Sequence, residues 1–198
     1  MVIGIDIDGI LAEFNVGYAA ILTRLTGIQF PEGGKTTSTW PDTWYWDQAA
    51  GVTKEQEAAA WAEIKGSTDF WRKLPIHKDA EEFLMWLRSF TLNKDLDCYF
   101  ITNRMGVGVQ EQTTRWLEIY GFQRPAVVIA SDKAGICNAI GVTHYIDDKN
   151  ENCQAVAEKC PGTRPFMLVR PWNKYVGVER LDSLKEFRGI LEKGRRNG

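Results

Sequence analysis

Short apolar segments alternate with amphipathic segments along this chain of 198 residues, and this alternation restricts the fold more than any other feature. The apolar segments predict strands at residues 2–7, 97–102, 126–130, 143–146 and 165–169. Helical spacing predicts helices at residues 14–26, 53–65, 78–90, 109–120, 133–140, 151–159 and 182–191. Strands that are apolar throughout are buried on both faces, and strand–helix–strand repeats form parallel pairs. The sequence therefore predicts an α/β fold with a Rossmann-like, doubly wound parallel sheet.

The first predicted strand ends in two aspartates. Residues 2–11 have the sequence VIGIDIDGIL, in which Asp6 and Asp8 precede Gly9. Carboxylates at the end of a buried strand cost free energy unless a cation or hydrogen bonds compensate them. One interpretation is a site for a hard metal ion with one carboxylate free to react. The other is a pair of aspartates that caps a turn beside Gly9, and the motif alone leaves both open.

Polar residues also follow three other predicted strands, and ligands bind at the carboxyl ends of parallel strands. These residues are Thr102, Asn103 and Arg104, then Ser131, Asp132 and Lys133, and finally Asp147 and Asp148. Carboxylates without neighbouring histidines suit Mg²⁺, while a hydroxyl and an ammonium group suit phosphate oxygens. A carboxylate beside a metal can attack phosphorus, and a second one can transfer a proton. The four strand ends together favour a reactive site.

These residues, in this order, resemble the motifs of the haloacid dehalogenase-type phosphatases. The matching features are DIDGIL at 6–11, the strand that ends at Thr102, Lys133, and the Asp147-Asp148 pair, and the resemblance covers residues 1–12 and 74–170. It implies that Asp6 is the nucleophile, which is phosphorylated during turnover. It also implies that Asp8 is the general acid and base, and that its backbone carbonyl faces the metal.

The resemblance implies roles for the other strand ends as well. Thr102 would bind the phosphoryl group, and Lys133 would neutralise it and orient the nucleophile. Asp147 would be a metal ligand, and Asp148 would bind the metal through water or pair with Lys133. The implied cofactor is Mg²⁺, surrounded by Asp6, Asp8, Asp147 and Asp148. Asn103 and Arg104 are predicted substrate contacts, and a structural salt bridge of Arg104 is an equal alternative.

The long segment after the first motif is predicted to be a small, mainly helical cap, residues 14–73, inserted into a core of residues 1–13 and 74–198. Caps exclude water and select substrates. This one is rich in aromatic residues: Trp40, Trp44, Tyr45, Trp46, Trp61, Phe70 and Trp71. Such rings can stack on a nucleobase or can form the cap's own core. We expect core packing for Trp61, and substrate contacts for Phe70, Trp71 and Trp44.

Further segments resemble the 5'(3')-deoxyribonucleotidase branch of this family. They are DFWRKLP at 69–75, TTRWL at 113–117, SDK at 131–133, YIDDK at 145–149 and RLDSLKEF at 180–187. The resemblance implies a Mg²⁺-dependent phosphatase for deoxyribonucleoside monophosphates. Asn103 replaces a small residue of that branch, and Ser131 replaces a frequent arginine, which leaves base and sugar preference open. The alternatives are a phosphatase for polynucleotide 3'-phosphate ends or another small phosphometabolite, and a non-catalytic nucleotide-binding module.

Charge and cysteine content restrict the partners and the location. A net charge of -2 disfavours an extended nucleic-acid interface, which needs a basic face. The four cysteines, Cys98, Cys137, Cys153 and Cys160, contain no CxxC pair, and reduced thiols favour the cytoplasm. No apolar segment approaches membrane-spanning length. We therefore expect a cytoplasmic protein with a small nucleotide substrate and no membrane partner, and the sequence leaves a homodimer open.

Overall fold

A parallel sheet forms the centre of the computed structural model, which describes residues 1–30, 43–91, 96–173 and 177–196. The strands are β1 Val2–Ile5, β2 Asp97–Thr102, β3 Ala126–Ile129, β4 His144–Asp147, β5 Arg164–Leu168 and β6 Glu179–Leu181. Their order is β3-β2-β1-β4-β5-β6, and every pair is parallel. The chain builds the sheet outward from β1 in one direction and then in the other. The predicted doubly wound parallel sheet is therefore confirmed.

The predicted helices are also present. They are α1 Phe14–Thr26, α3 Lys54–Gly66, α4 Lys78–Thr91, α5 Val109–Ile119, α6 Lys133–Ala139, α7 Asn150–Lys159 and α8 Leu184–Arg196. The sequence missed α2 Trp46–Ala49, a 3₁₀ turn at Trp71–Lys73, and β6. The helix and the 3₁₀ turn span about one turn each, which is too short to show a helical repeat, and β6 has only three residues, ERL, without an apolar run. Within the described residues, no helix combines the length and apolarity needed to cross a membrane.

The core lies on both faces of the sheet because the central strand β1 is apolar on both sides. Ile3 and Ile5, on one face, are completely buried, and Gly4 on the other face lies against the side chains of Tyr145 and Ile101, as expected for a strand covered on each face. On one face, Phe83 of α4 and Phe187 of α8 are buried, with their ring centroids 6.1 Å apart. The helices thus hold β1 and its polar carboxyl end in a fixed place.

The segment predicted to be a cap leaves and re-enters the core at one point. Ala12 and Ile76 form an antiparallel bridge. Beside it, the Glu13 backbone N–H donates to the Pro75 carbonyl and the His77 N–H donates to the Leu11 carbonyl, each at 2.8 Å. The chain before the predicted cap and the chain after it are therefore joined by backbone hydrogen bonds. The division into a cap and a core domain stays a prediction.

Candidate active site

The carboxyl ends of β1, β2 and β4 bring the predicted site residues together. Thr102 and Asp147 are the last residues of β2 and β4, and Asp6 follows β1 directly. The Asp6 backbone N–H donates to the Ile146 carbonyl at 3.0 Å, which holds Asp6 in register with β4. Parallel strands end at the same edge of a sheet, so residues far apart in sequence meet there.

Lys133 is the cation of this edge. It is the first residue of α6. Asp132 caps this helix, because its side chain accepts a hydrogen bond from the Gly135 backbone N–H. Its Nζ lies 2.7 Å from Asp6 Oδ1 and 2.8 Å from Asp147 Oδ2. Burial lowers the pKa of the Lys133 ammonium, but the charges of Asp147 and Asp6 outweigh that effect and raise it above its usual value. Lys133 is therefore a permanent positive charge between two carboxylates.

Asp147 is completely buried and has both carboxylate oxygens engaged. Oδ2 accepts hydrogen bonds from Lys133 Nζ at 2.8 Å, from Asn152 Nδ2 at 2.9 Å, and from the Tyr145 hydroxyl. Oδ1 accepts from the Lys149 backbone N–H at 2.7 Å. These donors compensate the buried charge. Asp147 thus anchors Lys133 and the start of α7.

Asp148 lies beside Asp6 with less compensation. Its Oδ2 accepts a hydrogen bond from the Trp172 indole Nε1 at 2.7 Å. Burial and the charge of Asp147 raise the pKa of Asp148 to about 7, against the lowering effects of the Trp172 hydrogen bond and of Lys133 and Arg170. Gly9, with φ at +80°, lies against this carboxylate, and a Cβ there would be 2.0 Å from Oδ2. Only glycine leaves space for Asp148 in this place.

Asp6 is a buried carboxylate beside two other carboxylates. Burial raises its pKa well above the usual value, Lys133 opposes this, and Asp147 and Asp148 raise it further. Among the described residues, Oδ1 has no aligned hydrogen-bond donor, although the Lys133 ammonium is 2.7 Å away. Asp6, Asp147 and Asp148 each offer a ligand atom, all within 4.8 Å of one another. Oxygen ligands and uncompensated negative charge suit a hard divalent cation.

Asp8 points to a different set of partners. Both of its oxygens accept hydrogen bonds from the Arg104 guanidinium, at 2.9 Å from Nε to Oδ2 and 2.8 Å from Nη2 to Oδ1. The Thr102 hydroxyl donates to Oδ2 at 3.3 Å. Two aspartates that are two residues apart therefore have separate cations, Lys133 for Asp6 and Arg104 for Asp8.

A cavity of about 330 Å³ opens above these carboxylates. Most of the predicted site residues line it: Asp6, Asp8, Thr102, Asn103, Lys133, Asp148, Trp44 and Trp71. Much of its wall is aromatic, formed by Phe14, Tyr18, Trp44, Tyr45, Trp46, Trp61, Trp71 and Trp172. Phe14 of α1 stacks on Trp61 and on Trp71, in each case with ring centroids 5.7 Å apart. The cavity thus joins a charged base to an aromatic wall.

Two predicted substrate contacts do not line the cavity. The Arg104 side chain is completely buried and forms a salt bridge with Asp8, as in the structural alternative, and its contact with a substrate stays a prediction. Phe70 and Trp71 are consecutive residues at the start of a 3₁₀ turn, in which neighbouring side chains point about 120° apart. Trp71 lines the cavity, whereas Phe70 lines a separate groove with Gly17 and Leu74. Trp40 lies outside the described residues.

The sequence also missed residues that shape the site. Trp61 packs against the hydrophobic core, as predicted, and it also lines the cavity, as do Phe14 and Trp172. Trp172 follows β5, whose carboxyl end was not included among the polar strand ends. In the same loop, Arg170 donates to the carbonyls of Gly9 and Ile10, at 2.6 and 3.1 Å. The strand-end pattern would have identified this loop if it had been extended to the fifth strand.

Comparison with known proteins adds the fold family. Neither a protein-family model nor a curated protein matches the chain, but solved structures do. A HAD family hydrolase from Deinococcus radiodurans, solved with phosphate and sodium, has a TM-score of 0.60 at 15% identity, over 97% of this chain and 95% of that one. A haloacid dehalogenase-like hydrolase from Streptococcus pneumoniae has a TM-score of 0.59 at 15% identity, over 96% and 97%.

A third structure, the magnesium-bound HAD-hydrolase YfnB from Bacillus subtilis, has a TM-score of 0.58 at 14% identity, over 96% of this chain and 98% of that one. The chain has the fold of the haloacid dehalogenase-type hydrolases. In this HAD-type fold, the Asp6, Lys133, Asp147 and Asp148 side chains meet at the carboxyl edge of the sheet. In each case the match covers nearly the whole of both chains.

Proposed function

We propose that the protein is a Mg²⁺-dependent phosphatase that hydrolyses nucleoside monophosphates, deoxyribonucleotides in particular, through a phosphorylated Asp6. The observation that carries this proposal is the position of Asp6. Its carboxylate lies at the base of the cavity, 2.7 Å from the Lys133 ammonium and within a cluster of three carboxylates. Structures of the same fold with bound phosphate or magnesium support a phosphate-processing site of this kind.

Asp6 and Asp148 are the residues that would hold the metal ion. Asp147 already accepts four hydrogen bonds, whereas Asp148 accepts one from Trp172. This difference favours Asp148 as the direct ligand and Asp147 as its neighbour that fixes Lys133, which exchanges the two roles implied by the family resemblance. A bound Mg²⁺ would neutralise part of the charge that gathers on the phosphoryl oxygens.

The reaction has two steps in this geometry. First, an Asp6 oxygen attacks phosphorus, the ester P–O bond breaks, and Asp8 gives a proton to the leaving oxygen. Lys133 stabilises the negative charge of the transferring group, and Thr102 stands at the same edge. In the second step, water attacks the phosphoryl group, the P–O bond to Asp6 breaks, and the water gives a proton to Asp8. Inorganic phosphate is released, Asp6 returns as a carboxylate, and Asp8 returns as the protonated acid with which the first step began.

The aromatic wall supports a substrate with a flat ring. The parallel stacking of Phe14 on Trp61 and Trp71, with interplanar angles of 24° and 18°, shows how planar groups pack on this side of the cavity. Its volume of about 330 Å³ lies within the range of small-ligand pockets. Trp44 is 40% exposed, with the Lys149 ammonium 5.4 Å from its ring centroid, and its exposed ring surface is available to a base. A phosphate at Asp6 and a base against this wall fit one nucleotide.

Phosphate release from a panel of substrates with Mg²⁺ tests this proposal. The panel contains 5'- and 3'-nucleotides, ribose and deoxyribose forms, sugar phosphates, a 3'-phosphorylated oligonucleotide and p-nitrophenyl phosphate. We expect turnover of nucleoside monophosphates with the highest kcat/KM, and loss of turnover with EDTA. Turnover of sugar phosphates alone would overturn the nucleotide assignment but not the chemistry. Absence of turnover with every ester would overturn both.

The remaining expectations about cellular context stay predictions. The four cysteines, Cys98, Cys137, Cys153 and Cys160, are all unpaired, which supports the proposed cytoplasmic location. We propose a small nucleotide as the partner, with no extended nucleic acid and no membrane, and a homodimer stays open. Fractionation of cells and light scattering of the purified protein test the location and the assembly.

A further inference from the structure

Arg104 is a buried charge at the edge of the active site. None of its side-chain surface is exposed, and a buried guanidinium costs several kcal/mol unless it is paired. Its acidic partner is Asp8, with which it forms a two-pronged ion pair. Its remaining nitrogen, Nη1, donates to the Thr113 hydroxyl at 3.2 Å. The guanidinium therefore has few other orientations available.

Two tryptophan rings hold the guanidinium in this orientation. The Arg104 Cζ atom lies 5.0 Å from the Trp71 ring centroid and 5.9 Å from the Trp116 ring centroid. The two indole N–H groups are fixed in turn, because Trp71 Nε1 donates to the Met105 carbonyl at 3.0 Å and Trp116 Nε1 donates to the Leu74 carbonyl at 2.8 Å. Trp71 belongs to the insertion and Trp116 to α5. Both parts of the molecule thus position Arg104.

The planar fork of Arg104 fixes the plane of the Asp8 carboxylate, since it contacts both oxygens at once. The Asp8 side chain is 21% exposed and lines the cavity, so the face opposite Arg104 is open to a substrate. A carboxylate oxygen has two lone pairs: Oδ2 accepts from Arg104 Nε and, at 3.3 Å, from the Thr102 hydroxyl, whereas Oδ1, among the described residues, accepts from the guanidinium alone. A proton can bind at Oδ1, or at Oδ2 in place of the long Thr102 bond, while the ion pair is intact. Arg104 can therefore stay in place during proton transfer.

We propose that Arg104 is a positioning residue that aims the Asp8 carboxylate at the leaving-group oxygen, and that Trp71 and Trp116 hold Arg104 for this purpose. This inference rests on the proposed phosphatase function. Arg104 touches no reacting atom and acts through Asp8. Removal of the fork frees the carboxylate to rotate, and misplacement of a proton donor by about 1 Å can cost about 100-fold in rate.

The dependence of rate on the leaving group tests this inference. p-Nitrophenolate leaves without a proton, whereas the alkoxide of a nucleotide or other alkyl phosphate needs one. For Arg104→Met, we expect kcat/KM for the best alkyl phosphate to fall about 100-fold. Single-turnover release of p-nitrophenol should fall by less than about threefold, since this step does not use the proton of Asp8. Arg104→Lys, which keeps one donor, should recover part of the loss.

Arg188 offers a matched control. Its Cζ atom lies over a tryptophan, 5.4 Å from the Trp86 ring centroid, and its guanidinium pairs with Glu192. Arg188→Met removes an arginine of the same kind away from the cavity and should leave both substrates unchanged. Thermal melts of each variant exclude unfolding as the cause of a loss. If Arg104→Met does not fold, the same ratio measured with Arg104→Lys decides the outcome.

A double-mutant cycle shows whether Arg104 acts through Asp8. In an Asp8→Asn background, Arg104→Met should cause no further loss in alkyl phosphate turnover, because the group that it positions is already absent. Equal losses for both leaving groups, or a full additional loss in the Asp8→Asn background, would overturn the inference alone. A wild type that hydrolyses no ester would overturn the proposed function, and the inference with it.

Discussion

The base of the cavity and its aromatic wall are built in different ways. The base, formed by Asp6, Lys133, Asp147 and Asp148, is almost completely buried and is held by backbone register and by ion pairs of 2.7–2.8 Å. The part of the wall formed by Phe14, Trp44, Trp61 and Trp71 comes from the predicted cap, and its rings range from buried, at Trp71, to 40% exposed, at Trp44. Strand ends place the base, whereas side-chain packing places the wall.

This difference assigns separate tasks to the two regions. Groups that stabilise a transition state need fixed positions in a water-poor setting, which the sheet edge supplies. A surface that recognises a flat ring needs only aromatic faces at suitable distances. Substitutions in the base should therefore change rate and stability, and substitutions in the wall should change KM. The following predictions test that separation, beginning with the largest effect.

The largest effect is expected for Asp6→Asn. An amide cannot form the acyl-phosphate bond, so kcat on any substrate should fall by about 10⁴-fold or more. The fold should persist, because Asn has the same shape and burial already disfavours the charge of Asp6. Phosphate release and a thermal melt measure the two properties. Asp97→Asn, at the exposed amino end of β2, is the control and should keep the wild-type rate. Turnover by Asp6→Asn at the wild-type rate would refute the assignment of Asp6 as the nucleophile.

Lys133→Met should destabilise the protein as well as inactivate it. The substitution leaves the buried Asp6 and Asp147 without their shared cation, and removal of one partner from a buried ion pair costs about 3–5 kcal/mol. Urea denaturation measures the free energy of unfolding. Lys185→Met on the exposed face of α8 should change it by less than about 0.5 kcal/mol. Equal stability of the two variants would show that Lys133 is not needed to compensate the base.

Stability should respond to pH and Mg²⁺ together. The pKa of Asp148 rises from 3.8 to about 7 in the folded protein, so the folded state binds its proton more tightly than the unfolded chain. The contribution of this group to stability is therefore present below 3.8 and is lost as the pH rises through about 7. Mg²⁺ needs deprotonated ligands.

We therefore expect Mg²⁺ to raise Tm more at about pH 8 than at about pH 5.5, by about 3 °C or more. Differential scanning calorimetry at several Mg²⁺ concentrations measures the difference. Asp148→Asn should abolish most of it, whereas Asp132→Asn, at an exposed position before α6, should retain it. A Mg²⁺ effect that is the same at both pH values would contradict the placement of the ion beside Asp148.

The smallest effect is expected in the wall. Trp44→Ala removes an exposed ring that faces the cavity, so KM for a nucleotide should rise about 10-fold, as for loss of one stacked base. Its kcat on p-nitrophenyl phosphate should change little. Phe70→Leu distinguishes the structure from the sequence-based prediction. Because Phe70 lines the separate groove, its KM should equal that of the wild type, and a matching rise in both variants would place Phe70 at the substrate.

Much of this could be predicted from the sequence because the signals are local. An apolar run followed by a carboxylate identifies a buried strand and its polar end, as at Asp6 and Asp147. Local pattern could not assign Phe70 and Trp71 to different sides of one turn, since that depends on how the 3₁₀ turn packs against α5. Nor could local pattern choose between Asp147 and Asp148 as the proposed direct metal ligand. The two differ in their hydrogen-bond donors, which are Tyr145 and Asn152 for Asp147 and Trp172 for Asp148.

The sequence by itself therefore determined the order of strands and helices and the carboxylates and lysine of the base, since periodicity and strand ends are properties of neighbouring residues. Only the tertiary structure decided the partners. In the structure, Lys133 pairs with Asp6 and Arg104 pairs with Asp8. Trp71 lines the cavity, and Phe70 lines a separate groove. The physical reason is that burial, ion pairing and stacking depend on distances between residues that lie far apart along the chain.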